Sequence, residues 1–213
     1  MKKIKTFLAS ALILSSLTAC APQIETETEK EIILPTNPPA TMQTKPEKGD
    51  TIAILTTNMG EIKVLLYTKD VPETAKNFAE LAKAKKYDDT IFHRVINNFM
   101  IQGGDFENRN GTGGYTYKGE GTTLKDEINP NLSHVRGAIS MANSGAHTNS
   151  AASQFFIVQN PSGTKFLDGD YAIFGYAYEG MDVVDKIAEV KTNAMDKPLK
   201  DVVLEKVEIK TQE

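Results

Sequence analysis

From Thr51 onward the chain runs in short β-forming segments separated by breaks rich in Gly, Asn and Pro, and this rhythm constrains the fold more than any other feature. Thr51–Thr57 and residues 61–67 flank Asn58-Met59-Gly60, a hairpin signal. Further short runs cover residues 91–96, 99–102, 137–141, 153–159 and 172–178. The last run, residues 202–209, sets Val203, Glu205, Val207 and Ile209 on one face against Val202, Leu204, Lys206 and Glu208 on the other. Two helices interrupt the pattern. Asp70-Val71-Pro72-Glu73 opens the first, with Asp70 as the expected cap and Pro and Glu in the first turn. Its apolar residues Ala75, Phe78, Leu81 and Ala82 keep helical spacing, and Lys83-Ala84-Lys85-Lys86 closes it where the macrodipole favours cations. The second covers Met181–Ala188, with Met181, Val184 and Ile187 on one face. Eight strands and two helices over residues 50–211 predict a mainly β domain: a closed eight-stranded antiparallel β-barrel capped by two α-helices.

The residues before this domain read differently. Met1-Lys2-Lys3-Ile4-Lys5 is basic, and residues 6–17 are apolar or small, too short a stretch to span a bilayer but suited to a secretory leader. It runs into Leu17-Thr18-Ala19-Cys20, and Cys20 is the only cysteine of the 213 residues, so no intramolecular disulfide can form. The segment resembles a bacterial lipoprotein signal, which implies that residues 1–19 are removed and that Cys20 is lipidated. Two or more acyl chains hold a protein stably on a membrane. The expected location is therefore extracytoplasmic, anchored to the cell membrane, or to the outer membrane where the envelope has two. Residues 20–49 then serve as a tether: Pro22, Pro35, Pro38, Pro39 and Pro46 lie among many Thr and Glu residues with no amphipathic period. Loss of Lys2, Lys3 and Lys5 with the leader changes 24 basic against 28 acidic residues into 21 against 28, a net charge of −7. That balance argues against nucleic acid as a partner.

Two stretches depart from ordinary core strands. Residues 92–106, from Phe92-His93-Arg94 through Phe99-Met100-Ile101-Gln102 to Gly103-Gly104-Asp105, set an Arg and a Gln among apolar and aromatic residues. The two-residue period puts Met100 and Gln102 on one strand face. The second stretch is Ser140-Met141-Ala142-Asn143, followed by Ser153-Gln154-Phe155-Phe156. No Gly-x-Ser-x-Gly elbow, dinucleotide fingerprint or P-loop is present, and His134 and His147 lack metal-ligand spacing. No metal site is expected.

These stretches, with Asn110-Gly111-Thr112-Gly113-Gly114 and Phe166-Leu167-Asp168-Gly169, resemble the cyclophilin family of peptidyl-prolyl cis–trans isomerases over residues 51–209. The resemblance implies an isomerase of X-Pro bonds that assists the folding of extracytoplasmic proteins. Arg94 takes the place of the catalytic arginine. Phe99, Met100, Phe156 and Leu167 correspond to the pocket for the proline ring. Gln102, Asn143 and Gln154 correspond to hydrogen-bonding groups for the substrate backbone. Ala142 lines the adjoining groove, and Phe166 and Tyr171 stand at the rim. The expected partners are proline-containing unfolded or flexible segments, bound by a monomer without a cofactor. Phe166 stands where many members carry Trp, whose indole N–H matters for binding cyclosporin; Phe has no such donor, so weak binding of that drug is expected. Tyr171 stands where His is common, and residues 146–152 form a longer loop than the most compact members have. His93, which alternates away from Arg94, and Phe155, which alternates with Phe156, are expected in the core. The alternative function is a non-catalytic chaperone module that only holds proline-containing segments.

Overall fold

The computed structural model describes Pro39 and residues 42–213. Nine strands form one antiparallel sheet: β1 (Thr51–Thr57), β2 (Gly60–Leu66), β3 (Thr90–Ile91), β4 (Arg94–Ile96), β5 (Met100–Gly103), β6 (Ala138–Met141), β7 (Phe155–Val158), β8 (Ile173–Glu179) and β9 (Val203–Thr211). Their order is β3-β9-β1-β2-β8-β6-β7-β5-β4. The closed eight-stranded barrel is thus corrected to an open half-barrel with two edges. The cause is local. The run expected as one strand over residues 91–96 breaks at Phe92-His93, so that β3 pairs with β9 while β4 pairs with β5. The two edge strands are neighbours in the chain but not in the ladder.

Side-chain alternation sorts the sheet into two faces. Ala53, Leu55, Ile62, Val64, Val95, Ile101, Ile139, Met141, Phe155 and Ile157 belong to the main core. Helix α1 (Pro72–Lys83) adds Phe78, Leu81 and Ala82 to it, and α2 (Met181–Ala188) adds Val184 and Ile187. The other face carries a second apolar strip, including Leu65, Ile173, Ala138, Phe156, Val158 and Met100. The register therefore gives Phe155 and Phe156, adjacent in sequence, opposite destinations.

The β1–β2 hairpin turns at the residues that signalled it. Gly60 has φ of +137°, and an added Cβ there would lie 2.7 Å from Cγ2 of Val183 on α2. Glycine thus serves both the turn and the close approach of the helix. Helix α1 begins differently from expectation. Asp70 is not its cap; Val71 occupies that position and makes no side-chain bond to the helix end. Glu127, more than fifty residues away, supplies the acceptors instead. Its Oε2 accepts from the N–H and the hydroxyl of Thr74, both at 2.9 Å, and its Oε1 accepts from the Glu73 N–H at 3.3 Å. A carboxylate there meets both the free amides and the positive end of the dipole.

The leader of residues 1–19, Cys20 and the tether up to residue 41, apart from Pro39, lie outside the described residues. The remaining part of the expected tether, residues 42–49, is packed. Met42 is buried among the strip that holds Leu65, Tyr67 and Val71. The Tyr67 hydroxyl donates to the Gln43 carbonyl at 2.5 Å, and the Gly49 N–H donates to the Gln212 carbonyl at 2.9 Å, prolonging the β1–β9 ladder. Apolar surface left open on β2 explains the ordering: Met42 removes it from water.

Candidate functional site

The outer face of β4, β5 and β7 carries a row of side chains set by register. Arg94 pairs with Gln102, and Gln102 pairs with Phe156. Met100 lies two residues from Gln102 on the same face, as the period required. Beside this row opens a cleft of about 120 Å³ lined by Arg94, Phe99, Met100, Gln102, Ala142, Asn143, Phe156, Leu167 and Tyr171. Two of the expected site residues lie outside that lining. Gln154 lines the adjoining cavity of about 350 Å³, together with Thr112, Thr123 and Ser144. Phe166, 70% exposed, stacks on Phe99 with 5.9 Å between ring centres and stands at the rim.

Each wall has an identifiable support. Phe99 follows the tight turn Asn97-Asn98, where Asn98 takes a left-handed φ of +57°. The turn is pinned by Gln159, whose Oε1 accepts from the Asn98 N–H at 2.9 Å and whose Nε2 donates to Asp185 of α2 at 2.8 Å. Leu167 ends a single 3₁₀ turn, Lys165–Leu167. Asp168 fastens this turn to the sheet: its carboxylate accepts from the Ser133 hydroxyl (2.6 Å), the His134 N–H (2.7 Å) and His134 Nδ1 (2.7 Å). Burial alone would raise the Asp168 carboxyl pKa, but the His134 and Ser133 bonds outweigh it and hold the group below the usual carboxylate range.

His134 is wholly buried and forms the base under the pocket. Its ring stacks on Phe156 at 5.8 Å, and Tyr171 meets both rings edge-on, at 6.4 Å from His134 and 5.7 Å from Phe156. His134 Nε2 lies 3.1 Å from the Ser140 hydroxyl. This Asp168–His134–Ser140 line is enclosed, and the Ser140 hydroxyl is already bonded to the Ala172 carbonyl at 2.9 Å. It positions aromatic rings; it presents no nucleophile to the cleft.

The polar groups are distributed with equal economy. The Arg94 guanidinium sits over the Phe99 ring at 5.9 Å, and its Nε lies 3.8 Å from Asp196. The Asp196 carbonyl accepts from the Val95 N–H at 2.8 Å, so the residue 193–197 loop covers the free edge of β4. The Asn143 side chain is engaged within the protein: Nδ2 donates to the Asp170 carbonyl at 3.0 Å and Oδ1 accepts from the Gly145 N–H at 3.1 Å. Among the described residues no hydrogen bond engages the Asn143 main chain. The longer loop of residues 146–152 is tied down by reciprocal bonds between Asp126 and Asn149, both 2.9 Å.

His93 is 5% exposed, and neither ring nitrogen has a partner among the described residues. Burial pushes its pKa down, with the Asp105 charge partly opposing, so the ring stays neutral and acts as packing. Among the described residues no group of three His, Cys, Asp or Glu could hold a metal ion, and no helix is long and apolar enough to cross a membrane. Sequence reasoning named the groups at the cleft and missed those behind it: Asp168, Gln159, Asp196 and Asp105. Charged or amide residues in loops carry no periodic signal, although Asp105 and Asp168 each lie within a motif already singled out.

An open antiparallel half-barrel with two helices, bearing an arginine beside an apolar cleft on its outer face, defines a class, and the comparisons give the class its name. The family model of cyclophilin type peptidyl-prolyl cis-trans isomerases matches residues 51–209, and the chain belongs to this family. Among curated relatives, the chain is 42% identical over 161 residues to peptidyl-prolyl cis-trans isomerase-like 1 of Gibberella zeae, covering 75% of this chain and 95% of that one. It is 44% identical over 149 residues to the protein of the same name from Mus musculus, covering 70% and 86%. A crystal structure of a Cryptosporidium parvum cyclophilin type peptidyl-prolyl cis-trans isomerase superposes with a TM-score of 0.72 at 33% identity, covering 77% of this chain and 99% of that one. The same protein in the presence of the dipeptide Ala-Pro gives a TM-score of 0.70.

Proposed function

We propose that this chain is an active peptidyl-prolyl cis–trans isomerase that turns X-Pro bonds in extended or unfolded segments outside the cytoplasm, from a lipid anchor at Cys20. The observation that carries the catalytic reading is the placement of Arg94. A permanently charged donor stands opposite Gln102 at the mouth of a cleft whose apolar walls include Phe99, Met100, Phe156 and Leu167. Family membership and the Ala-Pro dipeptide present with the Cryptosporidium protein support a proline peptide as ligand.

The chemistry asks little of the protein. Amide rotation is opposed by about 18–20 kcal/mol of partial double-bond character, and no bond is broken, so neither a nucleophile nor a proton relay is needed. Catalysis requires that the twisted amide be bound better than either planar form. In the twisted state the proline nitrogen regains its lone pair. The Arg94 fork donates to it, a charge-assisted bond absent from the ground states. Meanwhile the apolar walls hold the ring, the Asn143 main chain and Gln102 hold the flanking peptide, and the acyl side rotates. A 10⁵-fold gain corresponds to roughly 7 kcal/mol, within reach of one well-placed donor with water excluded. The test is isomerisation of an Ala-Pro peptide by the full chain, followed by NMR exchange: acceleration supports the enzyme, and binding without acceleration supports a holding module.

Two further expectations attach to this reading. The anchor rests on Leu17-Thr18-Ala19-Cys20. Cys20→Ser is expected to move the protein from the membrane fraction to the soluble fraction; retention on the membrane would sink the lipidation reading. The exposed ring of Phe166 offers cyclosporin stacking area but no N–H donor. Phe166→Trp is therefore expected to tighten cyclosporin binding by about tenfold, the worth of one added hydrogen bond, while the isomerisation rate stays within about twofold. Calorimetry showing equal affinity would contradict it.

A further inference from the structure

The Asp105 carboxylate is completely buried, yet among the described residues it is not paired with a cation. Five main-chain N–H groups of the following loop turn inward to it. Oδ1 accepts from Glu107 at 3.2 Å and Asn108 at 2.9 Å; Oδ2 accepts from Asn110 at 3.1 Å, Gly111 at 2.8 Å and Gly113 at 3.1 Å. Burial pushes the carboxyl pKa up, but these amides together outweigh it and bring it to about 2. The loop is wrapped so tightly that a Cβ on Gly113 would lie 2.6 Å from Asp105 Oδ1.

The wrapping has a consequence inside the cleft. The Gly113 carbonyl shares its peptide plane with the Gly114 N–H, which donates to Glu107 Oε2 at 2.6 Å, while the preceding Gly113 N–H is held by Asp105. That carbonyl accepts from Gln154 Nε2 at 2.8 Å. A carbonyl can only accept, so the nitrogen of the Gln154 amide must face it and the oxygen must point away. That oxygen accepts from Gln102 Nε2 at 3.1 Å. The orientation of Gln154 thereby dictates that of Gln102, whose amide nitrogen faces Gln154 and which is the cross-strand partner of Arg94. Two otherwise reversible amides are set by one loop carbonyl, held on one side by the bond of Asp105 to the Gly113 N–H and on the other by the bond of Glu107 to the Gly114 N–H.

We propose that Asp105 is a positioning residue for catalysis, acting through Gly113 and Gln154 to fix the amide orientation of Gln102 next to Arg94. The proposal rests on the isomerase reading but is separable from it. Asp105→Asn leaves one acceptor oxygen for five N–H groups, so whichever way its amide turns, the NH₂ faces at least two of them and the wrapping that holds the Gly113 loop is loosened.

The experiment is a double-substitution cycle on the full chain, with kcat and KM measured for an Ala-Pro peptide and thermal unfolding followed in parallel. Asp105→Asn alone is expected to lower kcat by about tenfold; in the Gln154→Ala background it should change kcat by less than about twofold, because the relay is already cut. The same fold-loss in both backgrounds, or no loss in either, overturns the proposal. Should Asp105→Asn fail to fold, Gly113→Ala displaces the same contact from the loop side and the same coupling with Gln154 is expected. Should the wild type bind the peptide without accelerating it, the isomerase reading fails, and the coupling is read in the peptide's Kd instead, with the same two outcomes deciding.

Discussion

Replacing Arg94 with alanine is expected to lower kcat/KM for an Ala-Pro peptide by about 10²–10³-fold, the usual cost of removing one donor aimed at a transition state. Stability should barely move. Arg94 is an edge-strand residue, about two-fifths exposed; its ion pair with Asp196 is long at 3.8 Å, and its contact with Phe99 is at 5.9 Å. Exposed pairs of this kind contribute about 0–1 kcal/mol. The loss should fall mainly on kcat, since the walls that hold the proline ring remain. Arg94→Lys retains the charge but not the planar fork, and should recover only part of the rate. Full activity in Arg94→Ala, measured by NMR exchange, would rule out the guanidinium as the donor.

The second large effect separates two neighbouring rings. Phe155→Ala should cost about 3–5 kcal/mol of stability, as expected for emptying a buried aromatic site. Its ring is fully buried and meets Phe78 edge-on at 5.3 Å, Tyr87 at 5.6 Å and Phe92 at 6.3 Å. Helix α1, strand β7 and the residues on either side of β3 meet through these contacts, so collapse around the void is limited. A loss of this size is a large part of a typical domain's 5–15 kcal/mol, and urea unfolding would measure it. Phe156→Ala should do the reverse, sparing more of the fold and weakening peptide binding. Its ring forms a pocket wall and rests on one side against His134. A Phe155→Ala protein as stable as the wild type would show that the register of β7 is misassigned.

What the chain announced in advance was whatever depends on period or on neighbours in sequence. The β1–β2 hairpin at Asn58-Met59-Gly60 and the extent of α2 follow from local pattern, and so does the shared face of Met100 and Gln102. In β9 the expected alternation fails, because a bulge opposite Thr56 and Thr57 brings Leu204 and Val207, expected on opposite faces, into the same core. The cleft residues were legible because a long ordered motif carries them. What escaped depends on chain segments that meet only after folding. The break at Phe92-His93 arises because the two halves of that run find different partners, β9 and β5. Glu127 caps a helix more than fifty residues upstream, where Asp70 had looked sufficient. Met42 lies in a Pro- and Thr-rich segment with no amphipathic period, yet it is buried because β2 leaves apolar surface for it to cover. Asp105 is a related case: its position in a glycine-rich run was plain, but five amides converging on one carboxylate became visible only with the loop closed around it.

The central claim is that this cleft turns proline bonds rather than merely holding them. It is tested most directly by the cis–trans exchange rate of an Ala-Pro peptide with and without catalytic amounts of the full chain. The account predicts exchange accelerated far beyond the uncatalysed time of tens to hundreds of seconds, with the equilibrium ratio of isomers unchanged. Saturable binding of the peptide at the Arg94 cleft with exchange no faster than in buffer would contradict it.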